Sequence, residues 1–332
     1  MNLCDNEKFS LFFLFHFFSL SSRFKNQMSM STEKSIFQRP FWVVVFALSA
    51  AISWGWAYPL IKLGFEEFGI TQSMTGSKML FAGVRFMISG ALILAIARFF
   101  KRDFKVKSNG GLWYILMYAL LNTTFHYAFF YIGLSHSDGA RAAILNSLGV
   151  FMLVLLACIF FKSDKLTTKK IIGCVIGFAG VLSLNLGKGS SGDFTMMGDG
   201  MIILNALCSA FAGLMTRGLG KHVDVVVGTG YSLATGGALL VLPGVMMGGV
   251  LPNITLYGVV LLALLVGIST LGFTLYNKLL SCNPVGKVAI FNSLIPVVGA
   301  ITSCLCLSEP FYWKYILAAG LAMAGIYIIN RR

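Results

Sequence analysis

The chain has 332 residues, 57% of them hydrophobic and only 11% charged, against about 25% charged in a soluble globular domain. That composition excludes an ordinary water-soluble enzyme. The net charge of +14 would suit nucleic acid, but the basic residues lie between apolar runs and do not form one face of a folded domain, so no nucleic-acid partner is expected.

In chain order, residues 9–20 form an apolar run of about a dozen, FSLFFLFHFFSL, too short to span a bilayer and without a small-residue cleavage site. Met30 opens a more ordinary polar start. Residues 1–40 are therefore expected to be an extension, and residues 1–29 to be dispensable. Beyond it, windows long enough to cross the ~30 Å hydrocarbon core as helices fall at about 41–63, 78–99, 112–133, 139–161, 169–186, 198–218, 226–248, 255–279, 286–307 and 312–330. Their length and charge-free interiors exclude the short alternating strands of a barrel. The expected fold is all-α, an integral membrane protein with ten transmembrane helices in the lipid bilayer.

With a cytoplasmic N-terminus, 20 Lys and Arg fall inside and five outside: Lys62, Lys78, Arg141, Lys188 and Lys314. Arg85 is left within a span. The positive-inside rule thus puts both termini in the cytoplasm of a cell whose plasma membrane holds the chain. None of the seven cysteines lies in an expected outside loop, so no disulfide framework follows.

One phrase occurs twice, RAAILNSL at 141–148 and KVAIFNSL at 287–294. Arg141, Asn146, Ser147 and Leu148 fall on Lys287, Asn292, Ser293 and Leu294 at a shift of 146, and Asp164, Gly180 and Asn185 fall on Glu309, Gly325 and Asn330 at a shift of 145. Five spans per copy is an odd number, so equivalent segments must cross in opposite directions. Two inverted five-helix repeats, 41–186 and 198–330, joined by an external linker at 187–197, are the mark of secondary transporters that rock around a midplane site.

SWGWAYPLIK at 53–62, GVRF at 83–86, NPVGKVAIFNSLIPVVGAITSCLCLSEP at 283–310 and GLAMAGIYI at 320–328 together resemble the drug/metabolite transporter superfamily, specifically its EamA-type ten-helix members. The likeness covers about 41–330. Pro296 and Glu309 match the family pattern of the ninth helix, whereas the first half has Gly149 or Val150 at the proline position and Asp164 at the acidic one. The resemblance implies transport of small metabolites, often export of amino acids or related compounds, through a central cavity between the repeats.

Polar residues inside hydrocarbon mark the faces that look inward. Tyr118, Asn122 and His126 recur at steps of four in the third span; Asn205, Ser209 and Thr216 mark the sixth, Thr270, Thr274, Asn277 and Ser281 the eighth, and Asn292, Pro296, Gly299 and Ser303 the ninth. Helix-to-helix bonding is the ordinary role of such residues. Arg85 and His126 are costlier, and rise along the helix puts them at one depth with Asn146 and Trp56. Trp54 and Trp56 are expected to line the cavity and Tyr58 to sit in the interfacial aromatic belt. The candidate substrate-binding set is Arg85, His126, Asn122, Trp56, Trp54, Asn146, Tyr118, Asn205 and Asn292.

The G-x-G-x-x-G spelling at 187–192 follows no strand and reads as a linker. GCVIG at 173–177 suits close helix packing within one chain or between two copies, leaving a homodimer open. There is no phosphate-binding loop for ATP, and no cofactor or metal is expected. An intramembrane enzyme built on His126 lacks a partner base or nucleophile. An organophosphate exchanger of the same superfamily would need several inward-facing cations where Arg85 stands alone.

Overall fold

The computed structural model describes residues 35–160, 166–183, 194–283, 288 and 290–330. The N-terminal extension, Asp164, Asn185, the 187–192 stretch and Lys287 lie outside the described residues.

Pro40 takes the first helical position of α1 (Pro40–Glu67), where its missing N–H costs nothing. The helices that follow are α2 (Thr75–Phe99), α3 (Gly111–Ser135), α4 (Gly139–Phe160), α5 (Thr168–Ser183), α6 (Met196–His222), α7 (Val225–Met246), α8 (Leu256–Cys282), α9 (Leu294–Cys306) and α10 (Trp313–Asn330). The described residues are helical with no strand. Seven of these helices, α1 to α4 and α6 to α8, are long and apolar enough to cross a membrane, and α9 and α10 are shorter apolar helices. Large apolar side chains such as Phe41, Trp113, Ile159, Leu242 and Leu305 are exposed on the outside, as a lipid-facing surface requires and a water-facing one rarely shows.

Small residues decide which helices touch. Gly76, Gly83 and Gly90 recur every seven residues on α2, as do Gly230, Gly237 and Gly244 on α7. A Cβ at Gly83 would lie 2.7 Å from the Gly237 carbonyl oxygen, one at Gly90 would lie 2.2 Å from the Ala234 nitrogen, and one at Gly76 would lie 2.9 Å from the Gly244 oxygen. The two backbones therefore run antiparallel in direct contact, which only glycine permits. In α5, GCVIG does the same within the chain: Gly173 faces the Gly325 oxygen of α10, and Gly180 faces Ala318 and Leu321. Elsewhere α1 packs on α8 and α9, α3 on α6, and α4 on α6 and its own neighbour α5.

Three helices depart from regularity, α6 by opening with a π turn over Met196–Gly200. Residues Leu120–Thr124 of α3 form a wide π turn, and α4 breaks at Ser147 between Gly139–Asn146 and Leu148–Phe160. A 3-10 turn, Ile290–Ser293, leads into α9. All six described cysteines are free thiols.

Candidate functional site

A cavity of about 160 Å³ lies among α1, α3, α4, α6, α8 and α9. Helical spacing explains its wall: Trp54, Ala57, Tyr58 and Ile61 of α1 and Phe273, Tyr276, Asn277 and Leu280 of α8 line it, each set at steps of three and four that share one face. Arg85, Asn122, His126, Tyr127, Phe130, Asn146, Ser147, Asn292 and Pro296 complete the polar and aromatic lining.

Arg85 reaches this wall from α2 with most of its guanidinium tied. Nε donates to the Leu265 carbonyl at 3.2 Å and to Ser269 Oγ at 3.0 Å, and Nη1 donates to Tyr131 Oη at 2.8 Å. The group is 2% exposed and lies 4.9 Å from the Phe86 ring centroid. It joins α2 to α8 and α3 and is itself a lining residue of the cavity. His126 stands nearby with Nδ1 buried and unpartnered, its ring edge-on to Tyr127 at 4.4 Å.

The expected set is partly gathered. Arg85, His126, Asn122, Trp54, Asn146 and Asn292 all line the one cavity; Trp56, Tyr118 and Asn205 do not. Trp56 is two residues from Trp54 and so about 200° around the helix. Tyr118 lies beyond the π turn, whose extra residue breaks the four-step register. Its hydroxyl pairs with Thr216 Oγ1 at 3.0 Å and accepts from Asn277 Nδ2 at 3.3 Å. Asn205 stands behind the wall, donating to Asn146 Oδ1 at 2.6 Å. Tyr58 corrects the belt expectation: it is 2% exposed, inside the bundle, with Asn146 Nδ2 donating to its oxygen at 2.9 Å. The spacing of Trp54 and Tyr58, one helical turn apart, was the signal that could have found it. Tyr127, Phe130, Phe273 and Tyr276 were also missed, because apolar helices offer no contrast between a core aromatic and a cavity aromatic.

One end of the cavity, marked by Ile61 and Ala143, abuts a layer of charge. Lys62 Nζ lies 2.8 Å from Glu309 Oε1, and the same carboxylate accepts from the Gly139 and Ala140 nitrogens at 2.9 and 3.2 Å. Glu309 thus caps the first turn of α4, where a negative charge is favoured. Asp138, beside it and outside the spanning segments, has its carboxyl raised above the ordinary range by burial first and by Glu309 second, with Lys62, Tyr315 and Arg141 opposing.

The model of the EamA-like transporter family matches residues 41–186 and 196–331. The chain belongs to the EamA-like transporter family. It is 25% identical over 289 residues to the uncharacterized transporter YvbV of Bacillus subtilis, covering 85% of this chain and 89% of that one. It is likewise 25% identical over 296 residues to a probable amino-acid metabolite efflux pump of Salmonella typhimurium, covering 85% of this chain and 92% of the pump. A protein of known crystal structure superposes with a TM-score of 0.65 at 17% identity over 86% of this chain and 95% of its own, a likeness of fold alone. The EamA-like chain is a multi-pass membrane transporter and not an enzyme.

Proposed function

We propose that this protein is a secondary transporter that exports small organic metabolites, such as amino acids or related amphipathic solutes, across the plasma membrane by alternating access. In this reading ten helices span the bilayer as two inverted five-helix halves with both termini cytoplasmic.

The helix pairings support it. Exchanging α1 to α5 for α6 to α10 turns the contact of α1 with α8 into that of α6 with α3, and the contact of α4 with α6 into that of α9 with α1, all of which occur. Among the pairs that such an exchange maps onto themselves, α2 with α7 and α5 with α10 run antiparallel through glycine contacts. Inversion requires that direction. The two separate family-model matches, 41–186 and 196–331, divide the chain in the same way.

The observation that carries the reading is the cavity itself, which draws its wall from both halves and holds a buried arginine beside apolar and aromatic side chains. A buried arginine favours an anionic group on the solute and the rings favour an apolar body. One relative is named a probable amino-acid metabolite efflux pump, which agrees with a solute of this kind. Proteoliposomes carrying the full chain, screened with labelled amino acids, amines and sugar phosphates, test it. Counterflow of an amino acid or related acid is the expected result, and movement of sugar phosphates alone would replace this reading.

A further inference from the structure

The Asn-Ser-Leu that the chain contains twice falls beside a helix break on both occasions. Asn146 ends the first part of α4, with Ser147 at the break. Asn292 lies in the 3-10 turn Ile290–Ser293 from which α9 continues. Both asparagines line the cavity, and each donates its amide to a tyrosine oxygen that lines it too: Asn146 Nδ2 to Tyr58 at 2.9 Å and Asn292 Nδ2 to Tyr276 at 2.7 Å.

The direction of these bonds has a chemical consequence. Asn205, fully buried, donates to Asn146 Oδ1 at 2.6 Å. With its oxygen occupied, the Asn146 amide turns its nitrogen toward Tyr58. A phenol oxygen that accepts an amide proton still has its own proton to give. Among the described residues neither the Tyr58 nor the Tyr276 hydroxyl donates a hydrogen bond, which leaves each proton available to a solute in the cavity.

We propose that Asn146 and Asn292 are positioning residues that hold Tyr58 and Tyr276 as hydrogen-bond donors to the transported solute, and that the solute answers them with a carboxylate. This rests on the transport reading above. A phenol donating to a carboxylate makes a charge-assisted bond, stronger than a neutral one, and Arg85 adds donors of the same sense in the same cavity. An amine offers donors where the wall already supplies them.

The test uses purified full-length protein with 3-phenylpropanoate and 3-phenylpropylamine as probes and thermal stabilisation as the measure of binding. The propanoate should stabilise the parent and the amine should not. Tyr58→Phe and Tyr276→Phe keep the ring and should each weaken the apparent affinity for the propanoate tenfold or more, the size expected for a hydrogen bond to a charged group. Asn146→Leu should weaken it as well, but should add nothing in the Tyr58→Phe background, because it acts through that hydroxyl. Asn292→Leu should behave the same way with Tyr276→Phe. The inference is overturned if the propanoate at millimolar concentration leaves the parent unmoved, if the amine binds as well, if the phenylalanine variants bind like the parent, or if the asparagine and tyrosine losses simply add. Failure of the transport reading would be seen separately, as no solute moved in the proteoliposome screen.

Discussion

The Arg141 guanidinium holds both oxygens of the Asp199 carboxylate, Nε at 2.8 Å from Oδ1 and Nη2 at 2.6 Å from Oδ2, with the two side chains 2% and 3% exposed. The pair joins the first turn of α4 to the start of α6. An arginine at a helix N-terminus opposes the helix dipole, whereas an aspartate there is favoured. The two-pronged geometry offsets the first and adds to the second.

Removing one partner should therefore cost far more than removing both. Asp199→Ala takes the carboxylate away from a buried guanidinium and is expected to destabilise the protein by about 3–5 kcal/mol. Arg141→Met combined with Asp199→Leu should recover most of that loss. Thermal unfolding of the detergent-solubilised variants decides it, and equal losses for the single and double variants would mean the pair has no such coupling.

Asp138 stands at the N-cap position of α4, yet its side chain makes no capping bond; Glu309 supplies that bond from far along the chain. Burial and Glu309 raise the Asp138 carboxyl, against Lys62, Tyr315 and Arg141. A raised acid binds its proton more readily folded than unfolded, so the stability it contributes is present at low pH and is lost as pH rises through the folded value. Asp138→Asn should thus gain on the parent as pH climbs from the ordinary aspartate value of about 3.9 toward neutrality. Melting temperatures of both proteins across that range should diverge in that direction; a constant gap would refute it.

The helices were legible because hydrocarbon imposes one rule, that apolar length means a span, and the observed ends of α2 (Thr75–Phe99) and α7 (Val225–Met246) fall within a few residues of those expected from sequence. Trp54 apart, the cavity was legible where a residue is costly in lipid. Arg85, His126 and Asn146 announce themselves by polarity, whereas Tyr58 and Tyr276 do not, since a tyrosine is equally at home in a core, a belt or a wall. Arg141 looked like a loop charge, because its partner lies 58 residues away. Trp56 and Tyr118 lie off the cavity wall for a geometric reason: the angle around the helix puts them on other faces.

Topology is open to a direct check. A reporter fused after Arg332 should be cytoplasmic, and one inserted between residues 187 and 197 should be external. Both on one side would remove the odd number of spans per half on which inversion depends.

Arg85 is where structure and transport have to be separated. Its Nε and Nη1 bonds to Leu265, Ser269 and Tyr131 tie three helices together, so part of any loss on substitution is loss of fold. Arg85→Lys keeps the charge but not the planar fork that meets three acceptors at once, and should destabilise by about 1–3 kcal/mol, the cost of leaving buried acceptors unmet. Arg85→Ala should destabilise more, by lost packing as well. If the guanidinium edge also faces the solute, the folded fraction of Arg85→Lys should move carboxylate-bearing solutes more slowly than the parent and neutral solutes at the parent rate. Folded yield from size-exclusion and transport per folded molecule, measured for both variants, give the two effects independently. Equal slowing of charged and neutral solutes would reduce Arg85 to a tie between α2, α3 and α8.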